Sequence, residues 1–189
     1  PADKKIVVVG IAPGAVLLPF ADQVSAALLS FMPGQEAGNA IADVLFGDFN
    51  PSGRLPVTIP NIENEVGFTP EQYPGVDGVA NYTEQLLIGY RWYDAHSVKP
   101  KYAFGFGLSY TTFSYSSLYI NDDKRKVTFV VKNTGPRDGH EICQLYLTFP
   151  AGSDQPPKLL RGFEKAFLAA GESKEMAFTL SDRDVSTWD

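Results

Sequence analysis

The fold is decided by residues 31–60, FMPGQEAGNAIADVLFGDFNPSGRLPVTIP, in which one helical stretch has turn residues before and after it. Pro-Gly opens it, and Glu36 falls in the first helical turn, where the helix dipole favours an acid. Gly47 then stands where a helix ends. Four apolar residues recur at helical spacing: Ala37, Ile41, Val44 and Leu45. The stretch therefore predicts a helix over about 35–46, followed by a turn-rich loop and a short extended segment between two prolines.

The residues before this helix predict two strands. KKIVVVG (4–10) is a β-branched run ended by glycine, which is typical of a strand buried on both faces. VSAALLSFM (24–32) is ambiguous by period, but its short length and the Pro-Gly that follows favour a second buried strand. Two strands and one helix fit part of an α/β sheet. Three such elements cannot cover both faces of a parallel sheet by themselves.

The second half of the chain changes character near residue 107. Five short β-type segments follow, separated by turn-rich stretches: 109–120, 126–133, 141–149, 158–168 and 174–180. This spacing predicts an antiparallel β-sandwich. The ending SDRDVSTWD is expected to bring Trp188 back against the preceding connector, which is the irregular stretch between the two halves.

The charge of the chain argues against nucleic acid as its partner. The formal net charge is −6 and the pI is near 4.9, whereas nucleic-acid binding requires clustered Lys and Arg. No apolar stretch approaches the roughly 20 residues of a membrane span. Cys143 is the only cysteine, so no intrachain disulfide is possible and no Cys/His spacing indicates zinc. Its apolar neighbours favour a buried, inert thiol.

Four ordered blocks carry a resemblance to a known family: PGQEAGNAIADVLFGDFNPSGRLPVTIP, YTEQLLIGYRWYDA, FGFGLSYTTFSYS, and KLLRGFEKAFLAAGES through to DVSTWD. They resemble the C-terminal part of glycoside hydrolase family 3 β-glucosidases, and the likeness covers essentially the whole chain. The resemblance implies an α+β protein: a partial α/β sandwich segment (1–65), an irregular connector (66–107) and an immunoglobulin or fibronectin type III-like β-sandwich (108–189). It also places the family's catalytic barrel upstream, which implies that the sequence starts inside a larger protein.

The same resemblance implies a function for the parent protein. Such an enzyme hydrolyses terminal β-D-glucosyl residues with retention, using two carboxyl groups about 5–5.5 Å apart and neither cofactor nor metal. No position here matches either carboxylate motif, so this chain is expected to contain no catalytic residue and to have a structural role. The parent is expected to be secreted or to pass through the secretory pathway. Two alternatives stay open: a non-catalytic polysaccharide- or protein-binding module, and one chain of a nicked enzyme.

Within the connector, Glu84, Arg91, Trp92 and Tyr93 form the best candidate contact for a sugar. Aromatic faces stack on pyranose C–H surfaces, while carboxylates and arginine hydrogen-bond to hydroxyls. The alternative, which we favour, is an ion pair and aromatic cluster that docks the connector onto the α/β segment. Two further residues stand apart from this group. Asn81 begins the sequon NYT, a possible N-glycosylation site, and Arg54 is expected to anchor its loop.

Overall fold

The structure is a computed structural model that describes residues 4–187, so the predicted contact of Trp188 lies outside the described residues. It combines helices with both parallel and antiparallel strands, which confirms the predicted mixed class. Its elements, in chain order, are β1 (Val7–Ile11), β2 (Ala26–Ser30), α1 (Ala37–Phe46), α2 (Tyr90–Ala95), β3 (Phe113–Ile120), β4 (Lys126–Asn133), β5 (Gly139–Leu147), β6 (Leu159–Leu168) and β7 (Ser173–Thr179).

The chain divides into two compact units, and neither is continuous in sequence. The first unit contains Pro1–Ile41 and Leu55–Phe106; the second contains Ala42–Arg54 and Gly107–Asp189. Helix α1 therefore begins in the first unit and ends in the second. The second unit includes a short segment, residues 42–54, from well before its β-strands. The sequence-based limits at residues 65 and 107 remain a prediction.

In the first unit, β1 and β2 pair in parallel, with Val7 opposite Ala26 and Ile11 opposite Ser30. The expectations that β1 is buried on both faces and that β2 is a second buried strand are both wrong for the described chain, since neither strand contains a buried residue. Ile11 is 61% exposed, and Val7 is 46% exposed. The reason is that β2 is the only strand among residues 4–187 that pairs with β1, so nothing described here completes the sheet.

The second unit is the predicted antiparallel β-sandwich. One sheet has the order β3–β4–β7, and the other pairs β5 with β6. Side chains that alternate along these strands meet between the sheets and form the core. The core consists of Val127, Phe129, Val131, Cys143, Ala166, Leu168 and Phe178. Cys143 is 1% exposed, as the sequence predicted.

The end of α1 is fixed by glycine. Gly47 has a φ of 86°, and its N–H donates to the carbonyl of Asp43 at 3.1 Å. Glycine reaches this left-handed conformation without the steric cost that other residues incur. The predicted helix end at this residue is confirmed. Across residues 4–187, the helices are too short or too polar to cross a membrane.

Candidate functional site

Helix α2 carries three of the four candidate sugar contacts on consecutive positions. It starts after Gly89, whose φ is 60°, and runs for six residues. Consecutive side chains on a helix point about 100° apart, so they cannot all face one ligand. Tyr93 points inward and is 6% exposed. The Trp92 ring lies edge-on to Tyr93 at 5.3 Å and stacks on His96 at 4.3 Å.

Tyr93 belongs to a network of hydrogen bonds that also includes Asn61, Glu65 and Lys99. Its hydroxyl donates to Glu65 Oε2 at 2.8 Å. The Asn61 backbone N–H donates to the same oxygen at 3.0 Å, and Asn61 Nδ2 donates to Glu65 Oε1 at 2.7 Å. Asn61 Nδ2 also donates to the Lys99 carbonyl at 2.9 Å. One carboxylate therefore ties α2 to a segment 28 positions earlier.

This network sets the protonation of both partners. Burial by itself would raise the pKa of Glu65, but the hydrogen bonds donated by Asn61 and Tyr93 outweigh it, and the pKa lies below its ordinary value of 4.5. Burial, followed by the bond to the Glu65 carboxylate, raises the pKa of the Tyr93 phenol well above its ordinary range. Tyr93 is therefore a neutral donor and Glu65 an ionised acceptor near neutral pH.

Arg91 is arranged differently. Its guanidinium carbon lies 5.3 Å from the centre of the Tyr90 ring, and that ring stacks on Phe104 at 4.9 Å. The Nε atom of Arg91 is buried and has no hydrogen-bond partner among residues 4–187. An arginine that stacks on an aromatic face keeps donors available for another group.

Glu84 belongs to a different contact. It accepts a hydrogen bond from Gln72 Nε2 at 2.8 Å. Within the described residues, no ion pair of 4.0 Å or less joins Glu84 to Arg91. The structure thus brings Arg91, Trp92 and Tyr93 together on α2 and places Glu84 with the loop before it. A sugar contact by these four residues remains a prediction.

The sequon lies on an exposed turn. Asn81 is exposed, its backbone N–H donates to the Glu71 carbonyl at 2.8 Å, and its carbonyl accepts from Thr83 N–H at 3.0 Å. The neighbouring ring of Tyr82 is 72% exposed. Glycosylation of Asn81 stays a prediction.

A second polar cluster, in the second unit, was only half predicted. Arg54 anchors its loop, as expected: Nη1 donates to the Gly107 carbonyl at 2.5 Å, and Nη2 pairs with Glu141 Oε2 at 2.6 Å. The Tyr115 hydroxyl donates to the other oxygen of Glu141 at 2.7 Å. Sequence reasoning missed Glu141. The available signal was alternation, because Glu141 shares the inward face of β5 with Cys143.

No group of three or more His, Cys, Asp or Glu side chains in the part of the chain that the structure describes is arranged to hold a metal ion. The carboxylates of Glu65, Glu84 and Glu141 are instead hydrogen-bonded to side chains of their own unit. In both clusters, these hydrogen bonds therefore fix the position of neighbouring side chains and segments of the same unit.

Two family models match parts of this chain. Residues 1–110 match the model of the glycosyl hydrolase family 3 C-terminal domain, and residues 141–189 match that of a fibronectin type III-like domain. The chain belongs to glycosyl hydrolase family 3 and corresponds to its C-terminal part. This confirms the resemblance and the fibronectin-like character of the β-sandwich.

The chain is similar to several curated relatives. It is 41% identical to the probable beta-glucosidase D of Aspergillus niger over 89% of this chain and 25% of that protein. It is also 41% identical to the probable beta-glucosidase G of Aspergillus terreus, over 91% of this chain and 25% of the relative. The chain thus spans about a quarter of the length of these relatives.

Solved structures show the same likeness. DesR, a beta-glucosidase from Streptomyces venezuelae in complex with D-glucose, matches 98% of this chain with a TM-score of 0.90 and 39% identity; the match covers 25% of DesR. Beta-glucosidase 3B from Thermotoga neapolitana in complex with glucose matches 100% of this chain and 27% of its own, with a TM-score of 0.92 and 37% identity.

Proposed function

We propose that this chain is the C-terminal portion of a retaining β-glucosidase and that the parent enzyme hydrolyses terminal β-D-glucosyl residues. The support is the identity of about 40% to proteins named beta-glucosidases and the high TM-scores to two such enzymes with D-glucose or glucose bound. The proposed substrate of the parent is a β-glucoside or β-glucan.

The role proposed for these residues is structural, without a catalytic carboxylate of their own. The observation that carries this proposal is the set of hydrogen bonds and ion pairs that the carboxylates of the two polar clusters form. Glu65 accepts three hydrogen bonds within its network, and Glu141 is paired with Arg54 and Tyr115. A retaining glycosidase needs two carboxyl groups about 5–5.5 Å apart, one as nucleophile and one as proton donor, whereas each of these hydrogen-bonded clusters contains a single carboxylate.

The proposed partners are the N-terminal barrel and the rest of the α/β domain of the parent. Strand β1 supports this because the apolar side chains at its two ends are exposed: Val7 is 46% and Ile11 is 61% exposed. Parallel sheets are normally covered on both faces and contain more than two strands, so further strands and helices of the parent would cover these side chains.

A β-glucosidase assay on two proteins tests the proposal. The 189-residue chain and the longer product of the same coding region are each incubated with an aryl β-glucoside. Only the longer protein should release the aglycone. Turnover by the 189-residue chain would contradict the structural role, and an inactive longer protein would contradict the proposed activity.

Variants of the longer protein separate sugar contact from packing. If Arg91 and Trp92 only pack, Arg91→Met and Trp92→Phe should change kcat/KM about as little as Asp182→Asn, whose carboxylate is 98% exposed. A loss of about tenfold or more in kcat/KM with unchanged thermal stability would assign these residues to substrate binding.

A second candidate function is a non-catalytic module that binds polysaccharide. Phe163 and Phe167 on β6 favour it, since they lie four residues apart on one face of the strand and are 68% and 49% exposed. Affinity electrophoresis in a gel containing soluble β-glucan tests this candidate. Retardation that is lost in Phe163→Ala/Phe167→Ala would support it, and equal migration with and without glucan would reject it.

A further inference from the structure

Residues 42–54 are here called the strap, and an asparagine near their middle binds them to the β-sandwich of the second unit. Asn50 Nδ2 donates to the Asp138 carbonyl at 2.8 Å. Asn50 Oδ1 accepts from Ser109 Oγ at 2.9 Å and from Tyr110 N–H at 2.8 Å. The side-chain amide of Asn50 thus contacts both the residues that precede β3 and the residue that precedes β5.

The start of the strap is held by side chains that donate to its backbone carbonyls. The Tyr110 hydroxyl donates to the Val44 carbonyl at 2.6 Å, and Arg137 Nη2 donates to the Gly47 carbonyl at 2.6 Å. Val44 lies in the last turn of α1 and Gly47 directly follows the helix, where the regular helical pattern of hydrogen bonds ends. The guanidinium of Arg137 also lies 5.5 Å from the Tyr110 ring centre.

The end of the strap carries its only ion pair among the described residues. The side chain of Glu141 is 8% exposed and that of Arg54 is 22% exposed, with 2.6 Å between Nη2 and Oε2. Removing one partner of such a pair leaves a buried charge without compensation, which is costly. By contrast, the exposed pair of Arg125 and Asp182 is held at 2.8 Å on the surface of the same unit.

The ion pair lies beside the one thiol of the chain. The Tyr115 hydroxyl contacts both Glu141 Oε1 at 2.7 Å and Cys143 Sγ at 3.7 Å. Cys143 itself is 1% exposed. A reagent therefore reaches the sulfur only when this part of the β-sandwich opens.

We propose that residues 42–54 are a strap that holds the β-sandwich closed, with the Arg54–Glu141 ion pair as its latch beside Cys143. Release of the latch frees the strap and opens the edge of the core before the unit unfolds as a whole. The device does not depend on the proposed enzymatic function, because all of its groups belong to the second unit.

The rate at which Cys143 reacts with an aromatic disulfide reagent tests the proposal in the full 189-residue chain. The rate is measured at rising urea concentrations well below the unfolding transition. Local opening exposes little surface and depends weakly on urea, whereas global unfolding depends on it strongly. The wild-type chain should show a urea-independent phase at low concentration, and Arg54→Met should raise that phase about tenfold or more.

Two further variants make the outcome decisive. Asp182→Asn, which removes the exposed pair, should leave the rate within about twofold of wild type. Arg54→Lys keeps the charge but loses the forked geometry, so it should raise the rate by a smaller factor of about threefold. It also decides the case if Arg54→Met does not fold. A wild-type rate in Arg54→Lys, or labelling that follows only global unfolding, would overturn the proposal.

Discussion

At the scale of single residues, a carboxylate is held by the groups that donate to it. Glu65 accepts from Asn61 and Tyr93, and its pKa lies below 4.5 because these hydrogen bonds outweigh the effect of burial. A carboxyl group whose pKa is lower in the folded than in the unfolded state stabilises the fold above its unfolded pKa. That stability is lost as the pH falls through the folded value.

The stability of the 189-residue chain should therefore decrease as the pH falls below about 4.5, the ordinary value for Glu65. Glu65→Gln should reduce this dependence, since its amide does not titrate. The measurement is the urea midpoint of the first unit between pH 3 and 7. Glu63→Gln, at an exposed neighbouring position, is the matched control. An unchanged pH slope in Glu65→Gln would show that the network does not carry the effect.

At the scale of elements, regular strands were easier to predict than the connector. The prediction of β4 over 126–133 agrees with Lys126–Asn133, because alternation along the strand matches its buried and exposed faces. Helix α2 was not predicted. Six residues are too few for a helical period to show, and its inward anchor, Tyr93, is recognisable only through Glu65.

The strap supplies a prediction at the same scale. A Cβ at Gly107 would overlap the backbone carbonyl of Gly53, whereas a Cβ at Gly53 would meet no atom within 4 Å. Gly107→Ala should therefore lower the free energy of unfolding of the second unit by about 1–3 kcal/mol, while Gly53→Ala should change it little. Urea denaturation of both variants measures the difference. Equal stabilities would contradict the close approach of the strap to residue 107.

At the scale of the whole molecule, the two units differ in how well their strands are covered. Strand β4 lies in the middle of its sheet and places Val131, with 0% exposure, in the core. Strand β1 pairs on one side only, and Ile11 is 61% exposed. Local stability follows the number of buried contacts.

Amide hydrogen exchange should therefore be faster in β1 and β2 than in β4 and β5 in the 189-residue chain. In the longer protein, the exchange of β1 and β2 should slow if further strands cover them, as proposed. Mass spectrometry of peptides from both proteins measures this. Equal protection of β1 in both would contradict the proposal that the parent completes this sheet.

The sequence alone determined the presence and order of the strands, the end of α1 at Gly47, the buried state of Cys143 and the family, because these depend on local periodicity and on ordered motifs. It did not determine the burial of β1 and β2 or the start of α1, which begins at Ala37, after Glu36. Only the tertiary structure decided which polar groups meet. Arg54 and Glu141 lie 87 positions apart, and Tyr93 and Glu65 lie 28 apart. The physical reason is that a hydrogen bond between residues far apart in sequence depends on the tertiary fold. The sequence around either residue does not indicate which residue will be its partner.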